Sequence, residues 1–443
     1  MIPPGEAKEV KNDAQQSESK VGRWTGALVT LWGAALFLPA LPLAPAFCCL
    51  LAEILSYDDS GARAFGLGTA GLMVVGLVCG GTMLFQGSSA LGGKPSRRLS
   101  LPPLWGMVGG FVLALVTGLG LWHVEGLGPL LGPWFIVAAA ALPPLAALVW
   151  AADERTGGLT VRRAGVAFST AATASVLLAI LLEILAPYTI VWLMLDLGEP
   201  VMDALEGLVD MLAGGQAAHA LTSPGFMLAL FELAVVAPLV EEFAKSLVVL
   251  PLLRGTKSRR DVFLLGATAG AGFAAVENIL YALFGGRYWG GILLVRALGA
   301  AVHPLGTGLM ALAWHSVLNK KPNTGPGWIG GFALAVGQHA LWNGGLVLWM
   351  ALSGAAFFGP QPWEADVMGV SIAVGMLALI ALEGVALWVG MQALSRRLEP
   401  PEAVATLAGE KLPTERAIAL WSVVCLVVLL PVGLAVLRGL WLR

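Results

Sequence analysis

Long apolar runs dominate the chain, and their lengths predict membrane-spanning helices. A helix needs about 20 mostly apolar residues to cross a bilayer, and eleven runs meet this length. They cover residues 24–48, 64–86, 103–122, 132–151, 165–186, 225–253, 262–284, 292–318, 328–351, 367–392 and 417–437. We therefore expect an all-α fold, a polytopic transmembrane helical bundle of about 11 spans within a range of roughly 10–12.

Basic residues fall in alternate loops between these runs, and this alternation predicts the orientation. The basic loops are at 94–98, 155–163, 254–260, 320–321 and 396–416. Because positive charge marks the cytoplasmic side, the N-terminus is predicted to be cytoplasmic. Eleven spans would then place the C-terminus outside. The final RGLWLR puts two arginines there, so the count stays open by one.

The same pattern divides the chain into four segments. A polar cytoplasmic tail covers 1–23, an N-terminal transmembrane bundle covers 24–200, a group of four spans covers 225–351, and C-terminal spans cover 367–443. The external loop 197–224 has apolar residues at helical spacing and is predicted to lie along the membrane interface.

Composition agrees with an integral membrane protein. The 443 residues are 57% hydrophobic and 12% charged, whereas soluble domains carry about 25% charged residues. A net charge of -2 gives no indication of a nucleic-acid partner. The four cysteines lie in apolar runs without metal-ligand spacing, so they predict neither a disulfide framework nor a metal site.

Polar residues interrupt four consecutive apolar runs. They are Glu241, Glu242 and Lys245; then Glu277 and Asn278; then Arg296 and His303; and finally His339 and Asn343. An ionisable residue in hydrocarbon costs about 2.5–3.5 kcal/mol on insertion scales and predicts function by default. Such a cost in four adjacent spans indicates a shared site.

Residue counts place these groups at a common depth. With a rise of about 1.5 Å per residue, Glu242 lies about 18 Å from the cytoplasmic end of its span, and Glu277 and His303 lie about 24 Å deep. These estimates ignore tilt and any kink at Pro304. Arg296 comes out near the outer edge, where a long side chain can snorkel, and it is interpreted as structural or as an outer anchor.

The residue types in this layer suit acid–base chemistry. Lys245 lies one helical turn from both glutamates and can neutralise one carboxylate. The other suits a general base that draws a proton from water; the sequence does not tell which of the two it is. His303 and His339 add an acid–base or ligand pair. Asn343 shares a helix face with His339, and together they could stabilise a developing oxyanion.

Four motifs in these spans resemble those of the PrsW family of intramembrane proteases. EEFAK at 241–245 looks like its EExxK motif, and FAAVEN at 273–278 resembles its FxxxEN motif. His303 and HALWN at 339–343 match its two later histidine motifs. In the related CAAX prenyl proteases and Abi proteins the second motif ends in histidine, so Glu277 favours PrsW.

The resemblance implies an intramembrane endopeptidase that cleaves a membrane-anchored protein, such as an anti-sigma factor, in a bacterial cytoplasmic membrane. Residues 225–351 would be its catalytic core. The implied catalytic residues are Glu241, Glu242, Glu277, His303, His339 and Asn343, supported by Lys245, Phe273, Asn278 and Arg296. Nothing in the pattern indicates an oligomeric state.

Two alternatives stay open at this point. A glutamate-activated water is favoured over a metal because no HExxH is present, although a Glu/Glu/His/His set could hold zinc. Intramembrane carboxylates and histidines also describe a proton-coupled transporter. The absence of an inverted repeat in hydropathy speaks against that second class.

Overall fold

The structure is a computed structural model, and most of the residues that it describes are helical. They are 27, 30, 31, 34, 60–92, 94–122, 124, 127–153, 159–183, 224–253, 256, 258–284, 288–318, 327–357 and 367–398. No strand occurs among them, and one isolated antiparallel bridge joins Arg98 to Thr160. The predicted all-α class is therefore confirmed for this part of the chain.

Eleven α-helices of the bundle have both ends described, and residues 176–183 form a further helical stretch. The eleven helices are α1 (Ser60–Leu91), α2 (Leu104–Leu121), α3 (Leu127–Ala152), α4 (Val161–Thr170), α5 (Pro224–Phe231), α6 (Ala237–Val249), α7 (Arg259–Phe284), α8 (Trp289–Leu298), α9 (Val302–Leu318), α10 (Trp328–Phe357) and α11 (Val367–Arg397). A π-helical turn, Ala171–Ser175, follows α4, and another, Glu232–Val236, joins α5 to α6. A 3₁₀ turn at Leu250–Leu253 completes a helix that runs through the predicted span 225–253.

Five helices of the described chain are long and apolar enough to cross a membrane. They are Leu104–Leu121, Leu131–Ala152, Val161–Glu183, Arg259–Ala282 and Val374–Arg397. A sixth span results if α8 and α9, which are bent by 43°, are taken together. The segment 224–253 and α10 are also long enough to cross, but they carry the polar residues of the site.

The total of eleven spans and the cytoplasmic N-terminus stay predictions. Only four residues of the first predicted span, 24–48, are among those the structure describes. The last predicted span, 417–437, the interfacial loop at 197–223 and the polar tail at 1–23 lie outside the described residues.

Helix α7 is the centre of the bundle. All of the stretch Arg259–Ala282 is buried, whereas only 17% of the spanning stretches of α2 and α11 is buried against the described part of the bundle. Glycines on α7 let other backbones approach it. A Cβ at Gly266 would lie 2.9 Å from the Cα of Gly308 on α9. This close α7–α9 packing brings Glu277 next to His303.

The span formed by α8 and α9 is broken at residues 299–301. The amide of Val302 donates to Gly299 O at 2.9 Å, which leaves Leu298 O without its usual helical partner. The sequence suggested Pro304 as the point of a kink, but Pro304 lies in the first turn of α9, where a missing N–H is tolerated. Gly299 marks the break instead, because a Cβ there would overlap the indole of Trp342.

Candidate functional site

Lys245 occupies the middle of the site and uses all three of its ammonium hydrogens. Its Nζ donates to Glu241 Oε2 at 3.1 Å and to Glu242 Oε1 at 2.7 Å. It also lies 2.8 Å from Nδ1 of His303. The spacing of EEFAK thus puts both carboxylates within reach of one lysine, as the helical periodicity predicts. Lys245 and Glu242 are completely buried.

Phe273 forms the floor beneath this lysine. The Nζ of Lys245 lies 4.4 Å from the centroid of the phenyl ring, a cation–π distance. The same ring lies 5.6 Å from the imidazole of His303. The first residue of the FAAVEN motif therefore packs against both the ammonium of Lys245 and the imidazole of His303.

Arg296 holds Glu277, the third carboxylate of the site. Its guanidinium donates to Glu277 Oε2 and to Asn278 Oδ1, each at 2.6 Å. His303 Nε2 also donates to Glu277 Oε2 at 2.6 Å. The amide of Asn278 in turn donates to Ala140 O on α3 at 2.9 Å. Arg296 is 7% exposed, so the interpretation of this arginine as a snorkelling outer anchor is wrong.

His339 and Asn343 occupy one face of α10, as their spacing predicts. Nδ1 of His339 donates to Glu242 Oε1 at 3.0 Å, so Nε2 is free to accept. The amide nitrogen of Asn343 lies 3.2 Å from that Nε2 and donates to Leu233 O at 3.0 Å. Glu242 therefore orients both Lys245 and His339.

The π-helical turn explains why Leu233 O is available to Asn343. In a regular helix this carbonyl would accept from the amide of Ala237, but that amide donates to Glu232 O. The next residue is Pro238, which has no N–H. The freed carbonyl takes a side-chain donor from α10 instead, and this bond fixes the distance between the EEFAK helix and the HALWN helix.

The two imidazoles are perpendicular neighbours that converge on Glu241. Their centroids are 4.7 Å apart with an interplanar angle of 82°. Glu241 Oε2 lies 3.9 Å from Nδ1 of His303 and 3.8 Å from Nε2 of His339. In each ring these are the nitrogens not bonded to Glu277 or Glu242.

This trio fits a metal ion. Among the described residues, Glu241, His303 and His339 are the group whose donor atoms all lie within 4.8 Å of one another. One carboxylate with two imidazoles is a known ligand set of catalytic zinc. The far nitrogen of each histidine is held by a carboxylate, which is the second-layer arrangement that orients metal-binding histidines.

The two adjacent glutamates differ in their access to the site. The side chain of Glu241 is 8% exposed and that of Glu242 is 0% exposed. Glu242 Oε2 has no hydrogen-bond partner and packs against Gly306, where a Cβ would lie 2.8 Å from it. Glu241 is therefore the more accessible of the two carboxylates, and Glu242 is the more deeply buried.

The structure brings together all ten residues expected at the site and adds others that the sequence analysis missed. Gln338 donates to Val302 O, just past the helix break, at 3.0 Å. Gln338 is a polar residue beside His339 in an apolar run, so the sequence alone could have identified it. Gly270, where a Cβ would overlap His303 O, and Trp388, whose indole N–H donates to Leu298 O at 3.2 Å, gave no such signal. A glycine and a tryptophan are ordinary in a membrane helix.

A buried set of carboxylates and imidazoles inside a helical membrane bundle marks the functional centre of a membrane protein. The particular family follows from its sequence model, described as PrsW family intramembrane metalloprotease, which matches residues 161–382. The match covers half of the chain, and the chain belongs to this family. The matched region extends beyond the motif-based resemblance at 225–351 in both directions, and it includes α4 and the first half of α11.

The other comparisons add no relative. Neither the search of curated proteins nor the search of solved structures gave a match. Family membership makes the chain an integral membrane protein and a peptide hydrolase that acts on membrane proteins. It does not favour the proton-coupled transporter.

Proposed function

We propose that the chain hydrolyses a peptide bond of a membrane-anchored protein at a centre formed by Glu241, His303 and His339. The observation that carries this proposal is the convergence of one carboxylate oxygen and two imidazole nitrogens, each ring being held from behind by another glutamate. The three residues would hold a zinc-type ion. When bound, such an ion polarises the scissile carbonyl and activates a water.

The surrounding residues have positioning roles in this proposal. Glu242 orients His339 and Lys245, and Glu277 with Arg296 orients His303. The second amide hydrogen of Asn343 faces Nε2 of His339, which is the direction from which it can stabilise a developing oxyanion. A substrate helix must unwind locally to present a carbonyl here, because helical carbonyls are otherwise hydrogen-bonded.

A metal-free glutamate mechanism is the second candidate, and Lys245 supports it. Its Nζ lies 3.1 Å from Glu241 Oε2 and 2.8 Å from His303 Nδ1, which are two of the three donor atoms. An ammonium and a metal ion cannot share that point, so metal binding requires Lys245 to move towards Glu242. Without metal, Glu241 is the base that takes the proton from water, since it is the accessible glutamate.

Cleavage by purified protein decides the activity. The wild type is reconstituted and offered single-span membrane proteins, with anti-sigma factors of bacterial cytoplasmic membranes as the first panel. Glu241→Gln is the test variant, and Glu383→Gln, a half-buried glutamate of α11 outside the site, is the matched control. We expect the wild type and the control to cut, and Glu241→Gln to be inactive.

A chelator separates the two mechanisms. Loss of cleavage on chelation, restored by zinc, supports the metal site, whereas activity that survives complete metal removal supports the glutamate mechanism. If no panel member is cut, and the protein dissipates a proton gradient in liposomes unless Glu241 is replaced, the peptidase proposal is wrong and the transporter class is correct.

A further inference from the structure

The break in the α8–α9 span leaves a backbone carbonyl that a regular helix would satisfy. Because Val302 N donates to Gly299 O, Leu298 O needs a donor from elsewhere. An unsatisfied carbonyl in hydrocarbon costs several kcal/mol. The indole N–H of Trp388, on α11, donates to Leu298 O at 3.2 Å. The C-terminal span thus supplies the bond that makes the break tolerable.

Helix α11 is shaped to approach this carbonyl. A Cβ at Gly384, one turn before Trp388, would lie 2.7 Å from Leu298 O and 3.1 Å from Leu298 C. Only glycine allows the two backbones to come this close. Val302, Trp342 and Ile380 form a buried apolar cluster beside the break, with one member each from α9, α10 and α11.

The break decides how two site residues meet one carboxylate. Arg296 lies at the end of α8, and His303 lies in the first turn of α9, seven residues later. In a straight helix this separation is about 10 Å along the axis. Across the 43° bend both side chains reach the same oxygen of Glu277, each at 2.6 Å. The shape of the break therefore sets the position of His303.

We propose that α11 is part of the catalytic unit. Trp388 and Gly384 are positioning residues that stabilise the break between α8 and α9, and this break brings Arg296 and His303 to the same carboxylate. Trp388 and Gly384 both lie beyond residue 382, where the family match ends. Their effect on turnover rests on the proposed peptidase function. Their effect on the break itself does not, and the experiment measures both.

Trp388→Phe removes the donor and keeps a ring, and Gly384→Ala adds a methyl group against Leu298 O. Gly390→Ala is the control on the same helix, because a Cβ there meets no atom within 4 Å. Trp105→Phe is the second control, since Trp105 is 82% exposed. Hydrogen exchange of a peptide covering 296–305 is measured beside kcat and KM. Thermal unfolding identifies any variant that does not fold.

We expect Trp388→Phe to speed exchange of that peptide about five- to tenfold, the factor that one hydrogen bond of ordinary net strength represents. The kcat should fall by a similar factor with KM unchanged, because His303 is displaced while substrate contacts are kept. Gly384→Ala should act in the same direction. Both controls should stay within about twofold of the wild type.

Either of two results overturns the proposal. One is exchange in Trp388→Phe equal to that in the controls, and the other is faster exchange with an unchanged kcat. If the wild type cuts no panel member, the proposed function fails. The exchange measurement alone then tests the role of α11 at the break. Faster exchange then still supports the role of α11 at the break, and unchanged exchange refutes it.

Discussion

Gly270 gives the sharpest test of how the α7–α9 contact sets the site. A Cβ at this position would overlap His303 O and would lie 2.6 Å from His303 C and 2.8 Å from the Cα of Pro304. These are backbone atoms, so no side-chain rotation relieves the contact. Gly270→Ala therefore pushes α9 away from α7 at the residue that carries the imidazole.

The size of the displacement follows from the distances. Ordinary carbon–carbon contacts lie at about 3.5–4.0 Å, so α9 must retreat by about 1 Å. His303 makes its two shortest polar contacts at 2.6 Å to Glu277 and 2.8 Å to Lys245. A shift of that size stretches both beyond the usual limit of about 3.2 Å. A misplacement of about 1 Å costs roughly 100-fold in rate.

The assay is kcat for one cleaved substrate, with thermal unfolding in the same detergent. Gly337→Ala, two residues before His339, is the matched control, because a Cβ there meets no atom within 4 Å. The free energy of unfolding should fall by up to about 3 kcal/mol, since overpacking costs about 1–3 kcal/mol and alanine in a helix returns at most about 1 kcal/mol. Both variants are therefore assayed at a temperature at which they are folded. If the kcat of Gly270→Ala stays within threefold of the kcat of Gly337→Ala, tight α7–α9 packing does not determine the position of the His303 imidazole.

Three other substitutions test separate groups of the site. Glu241→Gln should lower kcat by roughly 10²–10⁴ if Glu241 acts in the proton-transfer step. Glu242→Gln changes a residue that orients His339 and Lys245 and should lower kcat about 10–100-fold; equal losses would contradict this division. Arg296→Met should lower the free energy of unfolding by about 3–5 kcal/mol, because Glu277 loses a buried partner, and unchanged thermal unfolding would oppose this. His303→Ala should abolish bound zinc in metal analysis of the purified protein, and full retention would exclude the proposed ligand set.

Local parts of the site were predictable from the sequence. Helical periodicity alone puts Lys245 within reach of Glu241 and Glu242, and it puts Asn343 on the face of His339. Counting residues along each span put the carboxylates and imidazoles in one layer. These inferences needed only the rise and pitch of a helix, which are fixed by the backbone.

Contacts between distant spans were not predictable in this way. Arg296 was assigned to the outer edge because a residue count assumes a straight helix, and the bend after Leu298 turns it inward. The bend itself depends on a donor from Trp388, 90 residues away in sequence. The direction of each imidazole depends on which carboxylate lies behind it, and that is a property of the packed bundle.

The two freed carbonyls have a consequence for how the protein is made. Leu233 O and Leu298 O each take a side chain from a later span, 110 and 90 residues further along the chain. At about 5–20 residues per second of synthesis, each carbonyl waits on the order of ten seconds for its donor. The first of these spans also carries the charged EEFAK stretch. Neither span therefore satisfies all of its backbone groups by itself, and we expect both to reach their final packing only after α10 and α11 have been synthesised and have docked against them.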